Sequence, residues 1–389
     1  MSSTLNSASL GAGSSCSQGP ENLSRFRGAV VLYTSDQSLD RAHERATRIH
    51  VAERLAVLTG RKFEGECDGC SPGAYFVPND TIFGIERAHE LGIYDEHDLF
   101  GGVVSYPFVA TKVITHELRN EGAQAPPGWS FEFGRRVRGS VLAGYSAFTL
   151  DDARHAGKVL LETGPARVKP ARGNGGQGQF VVCTESELDA VLATIDPTEL
   201  AQYGVLLEEN LNEVTTYSVG QIRVTDLLAS YYGFQRLTVD AEGNTVYGGS
   251  DLVVTRGGFS TLFDLHPPKA ACVALKQAQI YDAAANECFV GMFASRRNYD
   301  VAQGWNYRGM PCFGVLEQSW RLGGASSAEV AALEALRNNC RLRAVRASCH
   351  EVYGEVDEPP AQAIVYFRGV DEQIGAMTKY AIVEPYAYT

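Results

Sequence analysis

The chain has 389 residues, of which 44% are hydrophobic and 21% are charged, and its formal net charge is −12. This length exceeds one ordinary hydrophobic core, so we expect two or three domains of a soluble globular protein. The acidic balance argues against a nucleic-acid backbone or an anionic membrane as the main partner, and no apolar run is long enough to span a bilayer.

The cysteines and the first residues indicate the compartment. Nine cysteines are scattered along the chain, and an odd number favours reduced thiols in a cytoplasmic protein over a disulfide framework. Cys67 and Cys70 have the spacing of a zinc knuckle, but no second close pair follows, which favours incidental thiols or a reducible loop over structural zinc. Residues 1–24 are rich in Ser and Gly, with no basic start and no apolar core. They are predicted to be disordered and not to be a signal peptide.

Strands and helices alternate in residues 25–105, which predicts a small N-terminal α/β domain. Buried strands are predicted at 28–33 and 74–78. Helical spacing predicts a helix over 39–58, ending at Gly60, and another over 85–91.

The remainder of the chain reads as a mixed α/β region over 106–330 and a C-terminal segment over 331–389 that packs on it. A helix is predicted at 111–118, before a turn at 126–128. Two aspartates, 151 and 152, are candidate caps for a helix that runs to 161. Further predictions are a hairpin around a glycine loop at 166–182, a strand at 205–211, β-structure over 215–254 with turns at 241–244 and 248–249, a helix over 269–289, and strands at 298–301, 312–317 and 363–367.

The first chemical motif is Val168-Lys169-Pro170 followed by glycines from 173 to 178. Lys169 is a compact cation that can bond a phosphate, and glycines expose backbone N–H groups and allow close approach. A Gly-rich turn between strands is also a common plain hairpin. The Lys-Pro that precedes it favours a phosphate-binding loop.

The second motif is Glu317-Gln318-Ser319-Trp320-Arg321 at the end of an apolar run. Glu317 ends a buried strand, so its carboxylate needs a partner, which a metal ion or an arginine would supply. It is a hard oxygen ligand suited to Mg²⁺, and Arg321 is a second candidate clamp for a phosphate or a carboxylate.

Taken in order, these motifs resemble the ATP-grasp superfamily of ATP-dependent ligases over roughly residues 105–330, and more narrowly a bacterial family of that type without an assigned reaction. The resemblance implies an α/β (α+β) ATP-grasp fold after an N-terminal pre-ATP-grasp domain, with a lid subdomain at 165–215. Lys112 before the Pro-Pro turn would be a phosphate contact, and paired acids on a strand would form the adenine hinge and the ribose contact. The ATP-binding residues so implied are Lys112, Lys169, Gly175, Gly176, Gly178, Gln179, Glu208, Glu209, Leu211 and Glu213.

The resemblance also implies metal ions bound by Asp300, Glu317 and Ser319, with Mg²⁺ as the expected cofactor beside ATP and Mn²⁺ as an alternative. Serine stands where the superfamily has asparagine, and a hydroxyl is a weaker metal ligand than an amide carbonyl. Arg321, Arg256 and Arg297 are the candidate catalytic clamps, although each could be a structural ion pair.

The reaction implied is activation of a small carboxylate as an acyl phosphate, followed by attack of an amine or a related nucleophile. The chain would act without nucleic acid or membrane, and a homodimer is one assembly that the resemblance allows. Three alternatives remain: an ATP-binding regulatory protein without turnover, a small-molecule kinase, and a carboxylase-like enzyme that works with a separate biotin carrier.

Overall fold

The computed structural model describes residues 28–35, 41–67, 69, 71–172, 178–354 and 358–386. The segment predicted to be disordered, Cys70, and the glycines at 175 and 176 lie outside these ranges. Within them, every cysteine is free. No helix in these ranges is both long and apolar enough to cross a membrane.

The N-terminal region alternates strands and helices as predicted. Its elements are β1 (Val30–Tyr33), α1 (Ala42–Thr59), β2 (Phe63–Glu66), β3 (Tyr75–Pro78), β4 (Ile82–Phe83), α2 (Ile85–Leu91) and β5 (Gly102–Val104). A parallel sheet has the order β2-β1-β3, and β4 pairs with β5. Gly60 ends α1 in the left-handed conformation, with φ of 68°, a conformation that glycine adopts without steric cost.

A second, four-stranded sheet follows. Its region contains α3 (Phe131–Val137), β6 (Gly144–Ala147), α4 (Leu150–Leu161), β7 (Ala166–Pro170), β8 (Phe180–Val182), α5 (Glu185–Leu192), α6 (Pro197–Tyr203) and β9 (Val205–Glu209). The strands are antiparallel in the order β6-β9-β7-β8, which we call the small sheet, and α4 and α5 pack on it. The predicted hairpin around the glycine loop is therefore β7–β8. Thr149 caps α4, and the two aspartates lie in its first turn.

The predicted helix over 111–118 is wrong. The segment forms only a 3₁₀ helix, Lys112–Thr115, and is extended at its two ends, Thr111 and His116. The apolar spacing exists because Val113 and Ile114 are buried, but so are Lys112 and Thr115. A segment buried on several faces gives the same spacing as a longer amphipathic helix.

The largest sheet has eight strands, and its order is β15-β14-β10-β11-β12-β16-β18-β17. The elements of this half are β10 (Asn212–Val224), β11 (Leu227–Val239), β12 (Thr245–Arg256), α7 (Ser260–Phe263), α8 (Lys269–Cys288), β13 (Phe293–Ala294), β14 (Arg296–Trp305), β15 (Pro311–Ser319), α9 (Ser326–Asn338), β16 (Ala344–Tyr353), β17 (Ile364–Asp371) and β18 (Gly375–Pro385). The short β13 pairs with β5 instead.

The large sheet has a hydrophobic core on each face. Helix α8 covers one face around Tyr281 and Tyr299, and α1 and α9 cover the other around Leu55 and Leu333. The domain boundaries remain predictions, and the proposed boundary at residue 330 falls inside α9.

One predicted turn is wrong. Gly248 and Gly249 do not reverse the chain but lie inside β12, where the pairing with β11 shifts register between Arg236 and Leu237. Gly249 has φ of 132°, and a Cβ there would lie 2.0 Å from the carbonyl oxygen of Cys349. Paired glycines in a strand-rich segment mark this bulge instead of a hairpin.

Candidate active site

The candidate site lies where the end of β15 approaches the small sheet, with the 3₁₀ segment 112–116 between them. This segment contributes at both of its ends. Lys112 at its start contacts Glu317 on β15, and His116 just after it contacts Glu208 on β9. The two contacts are therefore linked through the backbone of residues 112–116.

Lys169 and Glu208 form a buried ion pair on the small sheet. Lys169 on β7 is 4% exposed, Glu208 on β9 is 2% exposed, and their side chains are in direct contact. His116 Nε2 lies 3.1 Å from the other carboxylate oxygen of Glu208. Burial favours the protonated acid, but Lys169 and His116 outweigh it and lower the pKa of Glu208 to about 2. This carboxylate is ionised and fully engaged.

Lys112 and Glu317 form the second pair. The Lys112 Nζ atom lies 2.6 Å from Glu317 Oε2, and the lysine side chain is only 5% exposed. Burial opposes ionisation of Glu317, but Lys112, Lys169 and Arg321 lower its pKa below the usual value. Lys112 therefore contacts this carboxylate directly, and the charges of Lys169 and Arg321 also act on it.

Asp300 faces Glu317 across adjacent strands, because the two are register partners of β14 and β15. Burial and the charge of Glu317 raise the pKa of Asp300 to about 6. Ser218 donates a hydrogen bond to Asp300 Oδ1 at 3.3 Å. Two opposed carboxylates repel each other, and a bound cation would relieve that repulsion.

Gln318 holds the residues just before the 3₁₀ segment against β15. Its amide nitrogen donates to the carbonyl oxygens of Val109 and Thr111 at 3.0 and 2.7 Å, and its amide oxygen accepts from Tyr281 at 3.2 Å. Since Gln318 points to the α8 face, its neighbours Glu317 and Ser319 point to the opposite face. This alternation directs Glu317 toward Lys112.

A buried polar network lies beside the carboxylate pair. Arg296 is 1% exposed and forms a two-pronged salt bridge with Glu329 of α9, at 3.0 and 2.7 Å. The Arg296 guanidinium also donates to the Ser319 hydroxyl at 3.1 Å. The Tyr231 hydroxyl lies 2.6 Å from Glu329 Oε1 and 2.8 Å from Asn298 Oδ1. Ser319, a predicted metal ligand, is thus bound to an arginine.

The three predicted arginine clamps occupy different places. Arg321 is partly exposed near Asp80, with 3.7 Å between its Nε and the carboxylate, and belongs to the site. Arg256 instead donates to the carbonyl oxygens of Leu336 and Leu342 at the end of α9. Arg297 pairs with Asp282 of α8, on the other face of the sheet.

The residues predicted to contact the nucleotide on and beside β8 and β9 are only partly free to bind a ligand. The backbone N–H of Glu209 donates to Ala143 at 2.8 Å, so it is already used within the sheet. Leu211 is buried in a small apolar cluster that also contains Leu316, next to Glu317. Gln179 accepts a hydrogen bond from Arg167 at 3.3 Å. Of the last two predicted contacts, Gly178 follows the glycine loop with φ of 71°, and Glu213 is exposed at the bulge that begins β10.

Two residues of the site were missed in the sequence. Asn298 shares a face of β14 with Asp300 and Arg296, and the alternation in Arg296-Arg297-Asn298-Tyr299-Asp300 is a signal that could have found it. His116 carries no such signal, because its partner lies 92 positions away and only the fold brings them together.

Solved structures with similar folds cover nearly the whole chain. The N5-carboxyaminoimidazole synthetase of Staphylococcus aureus, solved with ADP, is 9% identical, with a TM-score of 0.52 over 92% of this chain and 94% of that one. The biotin carboxylase of Campylobacter jejuni, in its β,γ-ATP complex, is 11% identical, with a TM-score of 0.51 over 93% and 89%. The carboxyaminoimidazole ribonucleotide synthase of Aspergillus clavatus, solved with ATP, is 10% identical, with a TM-score of 0.50 over 93% and 94%.

These similarities define the class of protein: the chain has the mixed α/β ATP-grasp fold, as its motifs predicted. No curated protein matches the sequence. The chain belongs to the family described as a protein of unknown function, DUF3182, whose model matches residues 30–381.

Proposed function

We propose that this protein is an ATP-dependent ligase that activates a small carboxylate as an acyl phosphate and joins it to an amine or a related nucleophile, releasing ADP and phosphate. One observation carries the proposal. Two buried lysines lie in one site on an ATP-grasp fold: Lys112 contacts the partly buried Glu317, and Lys169 contacts the buried Glu208 while its charge also acts on Glu317.

Charge supports this assignment. ATP is tetra-anionic and a carboxylate substrate is also negative, so their approach requires cations in a site of low dielectric. Lys112 and Lys169 are cations already desolvated and oriented by Glu317 and Glu208. When phosphates enter, the ammonium groups can turn to them, and the two carboxylates become available for other partners. The apolar cluster that contains Leu211 and Leu316 lies beside Glu317 and suits the adenine base.

Asp300 and Glu317 are the residues that would hold Mg²⁺, or Mn²⁺ in its place. They fit a hard divalent cation because they are opposed, partly buried carboxylates whose mutual repulsion a cation removes. Among the described residues, no cluster of three His, Cys, Asp or Glu side chains surrounds a common point, so these two would be the acidic ligands. When bound, the ion would neutralise phosphate charge during transfer.

Arg321 is the group placed to orient the carboxylate substrate. Its partner Asp80 belongs to the N-terminal region, so the arginine stands at the junction between that region and the end of β15. A guanidinium presents a planar pair of donors that matches a carboxylate. Positioned there, the substrate carboxylate takes the γ-phosphoryl group, and the amine then displaces phosphate from the acyl carbon.

The direct test is release of ADP and phosphate by the full chain with ATP and Mg²⁺, with pooled amino acids and other small carboxylates added or omitted. We expect release that requires a pool and a nucleophile together. A product that retains the phosphate would indicate a kinase instead. No binding of ATP by calorimetry would contradict the proposal altogether.

One observation favours a second candidate, an ATP-binding regulatory protein without turnover. Ser319, at the position of a metal-binding asparagine in the ATP-grasp motif, is engaged by Arg296. A chain that binds ATP tightly but releases no ADP with any carboxylate and nucleophile would fit this candidate.

A further inference from the structure

We infer that Asn298, and not Ser319, supplies the amide oxygen that completes the divalent-cation site with Asp300 and Glu317. This inference rests on the proposed function, because it names a further ligand for the cation proposed there. It depends on the positions of Asn298, Tyr231 and Glu329 and on how many hydrogen-bond donors their side chains have.

The first step is that Ser319 is unavailable. Its hydroxyl accepts a hydrogen bond from the Arg296 guanidinium at 3.1 Å, and its carbonyl oxygen accepts another from the same group at 3.2 Å. A guanidinium is always charged and has no acceptor atom. A divalent cation bound to the Ser319 hydroxyl would lie against this buried positive charge, which disfavours serine as a ligand.

The second step is that Asn298 stands directly across from Ser319. The two are register partners on β14 and β15, and the next pair on the same face is Asp300 with Glu317. The Asn298 Nδ2 atom donates a hydrogen bond to Asp300 Oδ1 at 2.9 Å, so the amide lies against this carboxylate. The ATP-grasp motif has its asparagine at the position of Ser319 on β15. An asparagine at position 298 of β14, directly across from it, also lies beside the two carboxylates.

The third step is a count of hydrogens at Tyr231. Its hydroxyl oxygen has two close neighbours, Glu329 Oε1 at 2.6 Å and Asn298 Oδ1 at 2.8 Å, and both are acceptors. The Glu329 carboxylate is bound by both prongs of Arg296, so it can only accept, and the single hydroxyl hydrogen of Tyr231 serves it best. A half-turn of the Asn298 amide, which exchanges its oxygen and its NH₂, resolves this shortage, because the NH₂ then donates to the Tyr231 oxygen.

The consequence follows from the shape of an amide. If the NH₂ of Asn298 faces Tyr231, its carbonyl oxygen faces Asp300, because the two ends of the amide differ in chemistry and hardly in size. Two acceptor oxygens then meet at hydrogen-bond distance, and this contact is stabilised by a cation beside them or, in its absence, by a proton on Asp300. Tyr231, Glu329 and Arg296 thus set the amide to present oxygen to a cation held by the carboxylates.

Binding of Mn²⁺ tests this inference without any turnover. Free Mn²⁺ is followed by electron paramagnetic resonance in titrations of the full chain, first with the metal alone and then with a non-hydrolysable ATP analogue. We expect Asn298→Leu to weaken Mn²⁺ binding by about tenfold or more, as Asp300→Asn does, because each removes an oxygen ligand. Ser319→Ala should change the affinity by less than about twofold, and Asn298→Asp should keep or tighten binding.

The outcomes separate the ligand assignment from the proposed function. Wild-type affinity in folded Asn298→Leu, or a larger loss in Ser319→Ala, would overturn the role of Asn298 alone. Unchanged binding in Asp300→Asn and Glu317→Gln would overturn the metal site itself, and absence of Mn²⁺ binding by the wild type would overturn both. If Asn298→Leu does not fold, as judged by its thermal unfolding, Asn298→Ser takes its place, because it keeps a polar group but is too short to reach the cation.

Discussion

Lys169 and Glu208 are a buried ion pair in which each side chain is the other's counter-charge. Removing one partner of such a pair leaves an uncompensated charge, which costs about 3–5 kcal/mol. We therefore expect Lys169→Met to lower the free energy of unfolding by roughly 3 kcal/mol, since His116 still contacts Glu208. Nucleotide binding should be lost as well. Urea unfolding and calorimetric titration with ATP measure the two effects.

The double variant Lys169→Met with Glu208→Gln separates stability from binding. We expect it to recover most of the lost stability, because no charge is left buried, but not the binding of ATP. Lys158→Met is the matched control, since Lys158 pairs with Glu185 on the surface and should cost less than about 1 kcal/mol. Recovery of ATP binding in the double variant would contradict a phosphate role for Lys169.

The same residues show how far a sequence can predict a site. Lys169 and Glu317 could be proposed from local motifs near strand ends, and Asp300 from its position in the resemblance to the ATP-grasp superfamily. From the sequence, Arg256 and Arg297 are as plausible as Arg321 as catalytic clamps. Which of them lies near Glu317 depends on partners that are far away along the chain. Arg256 binds carbonyl groups of α9, a helix whose position relative to β12 no local pattern specifies.

Among the elements, β6 supports the site through a glycine. A Cβ on Gly144 would lie 2.6 Å from His116 Nε2 and 2.7 Å from the carbonyl oxygen of Leu207. Gly144→Ala should therefore destabilise the protein by about 1–3 kcal/mol and weaken ATP binding, because it displaces the imidazole from Glu208. Thermal unfolding and calorimetry check both effects.

Gly139→Ala is the control for this prediction. Gly139 has open space around its Cβ position, and its φ is not positive, so the substitution should have little effect on either measurement. Equal effects of the two substitutions would show that contact with His116 is not the cause.

The contact between Arg256 of β12 and the end of α9 gives a prediction in which stability falls but activity does not. Arg256→Ala removes donors to the carbonyl oxygens of Leu336 and Leu342 at the end of α9, and we expect a loss of about 1–2 kcal/mol in stability. Turnover per folded molecule should stay within about twofold of the wild type. Arg341→Ala, at an exposed arginine nearby, controls for the lost charge. A large fall in turnover without a change in stability would restore Arg256 as a catalytic clamp.

Elements were predicted well where one local rule decides the structure and poorly where two rules compete. The pattern of apolar residues and the closing glycine placed α1 correctly. The predicted helix at 111–118 was wrong because this segment is buried on several faces. The predicted turn at Gly248 and Gly249 was wrong because glycines occur in bulges as well as in turns. Burial and strand register are decided by the rest of the molecule.

In the whole molecule, the N-terminal region and the last strands are joined where α1 packs on β17. His43 on α1 is 4% exposed, lies against Phe367, and its backbone N–H donates to Asp371 at 3.2 Å. Burial lowers the pKa of the His43 imidazole to about 4, and Lys379 adds to this effect, while Glu44 and Asp371 oppose it. A titratable group thus lies inside the contact between the two ends of the chain.

This contact predicts how stability depends on pH. In the unfolded chain His43 binds a proton near its ordinary pKa of 6.5, whereas in the folded protein it does so only near pH 4. Its contribution to stability is therefore fully present above pH 6.5 and is lost as the pH falls toward 4.

We expect His43→Leu to reduce the loss of stability between about pH 7 and about pH 5 by on the order of 1 kcal/mol, as measured by urea unfolding at both values. His155→Gln, at an exposed histidine, should leave that loss as in the wild type. An unchanged pH dependence in His43→Leu would mean that the imidazole becomes protonated in place, with no strain on the contact between α1 and β17.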